Sequence, residues 1–159
     1  MTETEFYYPG KLFEDWKRGL IHKRWYEYYR DTFCEVDLSI VENQHVGGYH
    51  FGEWFMTLHY LHEGYEVLTE KYALPSHHQG RAKAIEILGE AGVSFLDEMY
   101  TPDLLVFKKS YPKTFFFVEV KRDHDKLETN QEKSFPKIEQ KFKCQVKIAR
   151  LLPRESLFP

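Results

Sequence analysis

The sequence has only two cysteines, Cys34 and Cys144, and neither belongs to a CxxC or any other paired spacing, so a disulfide framework and a thiolate zinc site both lack support. Both are expected to be ordinary buried thiols. No apolar run approaches the roughly 20 residues that a membrane helix needs. The Met-Thr-Glu-Thr-Glu start lacks the basic and apolar regions of a signal peptide. The expectation is a cytoplasmic or nucleoid-associated protein, neither secreted nor membrane-bound. Internal repeats, low-complexity tracts and a convincing linker are missing too, which leaves a single domain over residues 1–159. Nor is there a strong excess of either charge: the formal net charge of −3 argues against a protein that coats nucleic acid indiscriminately.

What the chain does have is aromatic side chains, at 17%, and an uneven distribution of charge. Between Lys108 and Arg150 twelve basic residues face six acidic ones, a balance of +6 that leaves −9 for the rest. A phosphate-facing surface would use such a division, and a solvated lysine-rich helix would produce it equally well. Leu12, Trp16 and Leu20, followed by Trp25, Tyr28 and Tyr29, follow helical spacing and predict an aromatic, helical N-terminal arm within residues 1–44. That arm would cover the core, build a dimer interface or stack on unpaired bases.

Residues 45–152 form the expected core. After a glycine-containing loop, Trp54, Phe55, Leu58 and Leu61 make a helical stripe ending at Gly64, and a strand is expected over residues 65–68. A second helix follows around Ile85 and Leu88, with Gly89 and Gly92 as stop signals. Residues 103–107 and 115–120 read as a β-hairpin, 128–142 as a charged helix that Pro136 should kink or divide, and 146–151 as a last strand.

The chemistry sits on the hairpin. Side chains two apart on a strand share a face, so Glu119 and Lys121 project together. A turn centred between Tyr111 and Pro112 sets Leu104 opposite Glu119 and Asp103 opposite Val120. Asp103 would then face away from Glu119 unless a bulge or twist near Pro102 turned it back. Two converging carboxylates would form a hard, oxygen-rich site for Mg²⁺ or Mn²⁺, and an ammonium beside them would position or polarise a water, as phosphodiester hydrolysis requires.

Pro102-Asp103 followed after one hairpin by Glu119-Val120-Lys121 resembles the PD-(D/E)xK motif of the restriction-endonuclease-like superfamily. That resemblance implies an α/β fold: a core of helix, three strands, helix and strand, with a mixed sheet flanked by helices. Within it, the chain is most similar to the virus-type replication-repair nuclease (VRR-NUC) branch, whose relatives cut branched or flapped DNA. Glu53 in Gly52-Glu53-Trp54 matches that branch's auxiliary acidic residue on the first core helix, and Asn130-Gln131 its helix-opening glutamine. The likeness implies a Mg²⁺- or Mn²⁺-dependent deoxyribonuclease, with RNA left open as a substrate. Asp103, Glu119 and Glu53 would hold the metal, Lys121 would position water, and Gln131 would orient the phosphate or Lys121. The lysines Lys126, Lys133, Lys137 and Lys141 would grip the backbone, and a homodimer would suit symmetric branched substrates. Pro136, the missing glycine before the last strand and the aromatic arm depart from the branch's pattern.

Blander accounts exist for each residue. Singly, Asp103 and Glu119 would pass as surface or capping carboxylates, Lys121 as a solvated strand-end lysine, and Glu53 as a carboxylate favoured by the helix dipole. His59 and His62, with His77 and His78, allow a histidine zinc site in principle, but spacing fixes no third ligand. His45 and His50, near Glu53, would touch phosphate or simply line a loop. Two rival classes also remain: a nucleic-acid-binding subunit that does not cut, and a protein-interaction module built on the aromatic arm.

Overall fold

The computed structural model describes residues 1–20, 48, 50–69, 72–75 and 78–154. Its elements in chain order are β1 (Thr2–Pro9), α1 (Gly10–Lys17), α2 (Phe51–His62), β2 (Glu66–Leu68), α3 (His78–Leu88), α4 (Glu90–Asp97), β3 (Leu104–Lys108), β4 (Tyr111–Arg122), α5 (Thr129–Phe142) and β5 (Val146–Arg154). The five strands form one mixed, open sheet in the order β1-β5-β4-β3-β2. β5 runs parallel to both β1 and β4, while β3 is antiparallel to both β2 and β4. No helix among the described residues is long and apolar enough to cross a membrane.

The sheet is buried on both faces, and strand alternation sends successive residues into different cores. One face carries Val67, Leu104, Val106, Val118, Ala149 and Leu151, which pack with Trp16 of α1 and with Phe51, Trp54, Met56 and Tyr60 of α2. The other carries Leu68, Leu105, Phe107, Phe117, Val146 and Ile148, covered by α3, α4 and α5 through Ala84, Ile87, Val93, Leu96, Phe135 and Ile138. The described part of the N-terminal arm belongs to this fold: Trp16 is fully buried and stacks on Trp54 at 5.1 Å. Trp25, Tyr28, Tyr29, Cys34, His45 and His77 lie outside the described residues.

Several sequence expectations need correction. The arm begins as a strand, because Thr2 to Pro9 pair in parallel along the open edge of β5 from Lys147 to Arg154. Gly92 does not stop a helix. Gly89, at φ +81°, ends α3, and Gly92 lies inside α4, where an added Cβ would stand 2.9 Å from the Phe142 ring. Gly92 is thus a close-approach residue between α4 and α5. Pro136 does not divide its helix, since α5 continues from Thr129 to Phe142. The carbonyl that loses its partner belongs to Glu132, and both residues are exposed, so water can replace the missing bond. Cys144 is a half-buried free thiol, pushed up to about 12 by burial and by the neighbouring Glu139.

The hairpin register also differs by one residue. Leu104 pairs with Val118 and Phe107 with Phe115, after which the ladder shifts so that Lys108 pairs with Tyr111. The irregularity lies at the turn end, where residues 112–114 are extra in β4, and the bulge expected near Pro102 is not needed. A one-residue shift exchanges the faces of every side chain. Extending the observed ladder by one step brings Asp103 opposite Glu119.

Candidate active site

Asp103 ends the segment leading into β3, and Glu119 lies near the carboxyl end of β4, so antiparallel pairing brings both to one end of the sheet. The Asp103 N–H donates to Glu119 Oε2 at 3.3 Å, and the Val120 N–H donates to Asp103 Oδ2 at 2.8 Å. These two bonds fasten the carboxylates to each other's strands. Glu119 is buried, at 4% exposure, on the face covered by α5. There the Gln131 amide nitrogen donates to Glu119 Oε1 at 2.9 Å.

Gln131 is itself fixed. It is the third residue of α5 and forms a capping box with Glu128, whose N–H donates to Gln131 Oε1 at 2.9 Å. With its oxygen engaged by that donor, the amide must present its nitrogen to Glu119. A helix-capping residue thereby becomes a clamp on a buried carboxylate.

Glu53 arrives from the opposite layer. It occupies the first turn of α2, where the helix dipole favours a carboxylate. Its neighbour Gly52 lets α2 approach the sheet closely: a Cβ there would stand 2.7 Å from Val120 Cγ1. His50 caps the start of α2 in the left-handed region, at φ 64°, a conformation that costs a non-glycine residue on the order of 1 kcal/mol or more. His50, Glu53, Asp103, Glu119 and Gln131, with the segment from Tyr100 to Pro102, enclose a cavity of about 210 Å³.

The electrostatics of this cavity are set by its acids. Burial pushes the Glu119 carboxyl up to about 7, opposed by the Lys121 ammonium, reinforced by the charge of Glu53, and opposed again by hydrogen bonding with Asp103. Lys121 shares the Glu119 face of β4 and is half-buried. It acts on the site through its charge and lies outside the cavity wall just described. A carboxylate whose proton is held near neutrality is one that a cation can stabilise by replacing the proton.

The donor set therefore fits a hard divalent ion in kind: carboxylate oxygens, of which those of Glu119 are disfavoured as an anion by burial. It does not form a complete cage. Among the described residues no three His, Cys, Asp or Glu side chains are grouped to hold a metal by themselves. Asp103, Glu119 and Glu53 could supply part of a coordination sphere that water and a substrate oxygen would complete. Among the described residues the histidine zinc alternative has no cluster either, and His77 and the His78 side chain lie outside them. His59 packs edge-on against Phe6 and Tyr60 and lies 3.4 Å from Glu63, while His62 is exposed.

The four candidate backbone-binding lysines are all exposed. Lys126 precedes α5, close in sequence to Gln131. Lys133, Lys137 and Lys141 follow one another at four-residue spacing along α5, away from its buried Gln131, Ser134, Phe135 and Ile138 side. At 1.5 Å per residue, Lys141 lies about 15 Å along the helix axis from Gln131.

Other residues at the site gave no signal in the sequence. Tyr100 and Thr101 line the cavity from a loop. Tyr72 is completely buried and stacks on Phe117 at 6.5 Å. Its hydroxyl has no hydrogen-bond partner among the described residues, and burial, then the charges of Asp103 and Glu119, hold the phenol well above its ordinary range. Neither a family model nor a curated protein matches this chain.

Proposed function

We propose that this protein is a metal-dependent nuclease of the PD-(D/E)xK type, most like the VRR-NUC branch, hydrolysing phosphodiester bonds in DNA at branches, flaps or junctions. The observation that carries this reading is the facing of Asp103 and Glu119 across the hairpin, within one cavity shared with Glu53 and Gln131. The order of elements supports it as well. α2, β2, β3, β4, α5 and β5 follow the sequence helix, three strands, helix, strand of a restriction-endonuclease-like core, with α3 and α4 inserted between β2 and β3.

Mg²⁺ or Mn²⁺ held by Asp103 and Glu119, with Glu53 as auxiliary, would neutralise charge on the phosphate and make a bound water more acidic. The chain's own groups have separate tasks. Gln131 keeps Glu119 oriented through its amide nitrogen, and the Val120 N–H of β4 holds the Asp103 carboxylate. The Lys121 ammonium favours the ionised form of Glu119 and would orient the attacking water. Lys126 would contact phosphate near the cut. Lys133, Lys137 and Lys141 would follow the backbone of a duplex arm for about 12 Å, three to four base pairs at roughly 3.4 Å each. Such contacts position a substrate without reading its bases, as structure-directed cutting requires.

The test is cleavage of labelled single-stranded, duplex, flap and four-way-junction DNA in Mg²⁺, Mn²⁺ or EDTA by the wild type, Asp103→Ala and Lys121→Ala. Cutting should require metal and fall by about a thousandfold or more in Asp103→Ala, since direct charge stabilisation supplies several kcal/mol. If no substrate is cut while all three proteins bind DNA equally, the enzyme reading is wrong and a binding module remains.

A further inference from the structure

A second cavity, of about 290 Å³, adjoins the carboxylate cavity, and Tyr100 and Thr101 line both. Among the described residues its wall is mainly apolar, formed by Leu74, Leu96, Met99 and Tyr100, with Asp97 as the charged group. Tyr100 is 43% exposed and Leu74 38%, and the two flank the same opening.

The wall is firmly built. The Tyr100 N–H donates to Ser134 Oγ of α5 at 3.1 Å. Thr101 Oγ1 donates to the Leu96 carbonyl at 3.2 Å. Across the cavity, Arg81 of α3 grips Asp97 of α4 through two bonds of 3.1 Å and also donates to the Ala73 carbonyl. The backbone that carries the ring is thus pinned at Tyr100 and Thr101, and the opposite wall is tied by one guanidinium. A stacking platform needs this rigidity, because a ring that must first be ordered loses much of what stacking gains.

We propose that this cavity takes an unpaired nucleobase of the strand being cut, stacked against Tyr100, while the adjoining phosphodiester lies in the carboxylate cavity. The inference rests on the nuclease reading and deepens it. A nucleotide carries a flat apolar group next to an anionic one, and here an apolar slot stands next to the site suited to a phosphate–metal pair. The Asp97 carboxylate disfavours an anionic occupant, and its lone pairs beyond those taken by Arg81 can accept from an exocyclic amino group. Adenine and cytosine would therefore be held better than thymine. A base still stacked in a duplex cannot enter such a slot, so occupancy selects flaps, single strands and frayed junctions.

The experiment combines cleavage with a readout that needs no cutting. Wild type, Tyr100→Ala and Tyr100→Phe are compared on flap and nicked-duplex DNA, and dAMP is titrated into methyl-labelled Asp103→Asn protein, with or without Tyr100→Ala. The Met99 methyl resonance reports the cavity, and fully buried Met56 is the internal control. Tyr100→Ala should lose roughly tenfold to a hundredfold on flap DNA and a smaller factor on the nicked duplex, with Tyr100→Phe keeping most of the flap activity. dAMP should shift Met99, leave Met56 unmoved, and lose that effect in Tyr100→Ala. If wild type cuts but Tyr100→Ala cuts flaps equally well and Met99 does not respond, the base site is overturned and the nuclease reading stands. If nothing is cut and Met99 still responds through Tyr100, the base site stands and the nuclease reading fails; no cutting and no response overturn both.

Discussion

Strand β4 carries two neighbouring surfaces with opposite effects on stability. Val118 and Val120 point toward α2, into a cluster where Phe51, Trp16 and Met56 are completely buried and Tyr8, Phe13, Trp54 and Phe55 surround the Phe51 ring. Phe117, Glu119 and Lys121 point toward α5, where apolar packing gives way within two residues to a buried carboxylate. Burial on the first surface stabilises the fold at about 25 cal/mol per Å². On the second it opposes ionisation of Glu119 and stores electrostatic free energy in the metal-free protein. The contrast teaches that the apolar surface supplies the rigidity with which the polar one is held in an unfavourable state.

The largest effect on stability should come from the first surface. Phe51→Ala removes a completely buried ring and should lower unfolding free energy by about 3–5 kcal/mol, read from denaturant midpoints. The contrast would break if this variant kept near-wild-type stability, because α2 would then not be the anchor of the site.

Next in size is the pH dependence of the second surface. The Glu119 carboxyl is raised from 4.5 to about 7, so below pH 4.5 both folded and unfolded chains hold the proton. Between those values the unfolded chain releases it and the folded chain retains it. Stability must therefore fall as pH rises through this window and level off above it, by on the order of 3 kcal/mol in all. Glu119→Gln should abolish that component, leaving the variant more stable than wild type at pH 7.5 and comparable at pH 4.5. Parallel stability–pH curves for the two metal-free proteins would show that Glu119 is not held protonated by burial.

The alternation and polarity that distinguish these surfaces were legible in the residues, and so were the hairpin, the stripe of α2, the charged α5 and the strand β5. The register was not. Leu104-Leu105-Val106-Phe107 and Phe115-Phe116-Phe117-Val118 are apolar at every position, so neither strand marks which face is which, and the ladder shift sits in a turn with no apolar pattern. β1 was hidden for a different reason. Thr2 to Glu5 are exposed, and the strand state of this segment comes from its distant partner β5. Asp103, Glu119, Glu53 and Gln131 could be singled out by type and spacing. Tyr72 and Tyr100 come near the carboxylates through loop placement, which local sequence does not encode.

The smallest effect concerns the junction of the two surfaces at Gly52. An alanine Cβ there would stand 2.7 Å from Val120 Cγ1 and 3.4 Å from Leu151 Cδ1, too close to the first without movement. Both neighbours belong to central strands, so α2 is the element free to shift. Gly52→Ala is expected to cost about 1–3 kcal/mol by overpacking. Because Glu53 follows immediately, a displaced α2 would draw that carboxylate away from Glu119, whose pKa Glu53 helps to raise. The variant should therefore show a smaller Glu119-dependent stability slope than wild type while keeping the Phe51 cluster folded. A loss of stability with that slope unchanged would mean that the approach of α2 serves packing alone, and that Glu53 owes its place at the cavity to something other than Gly52.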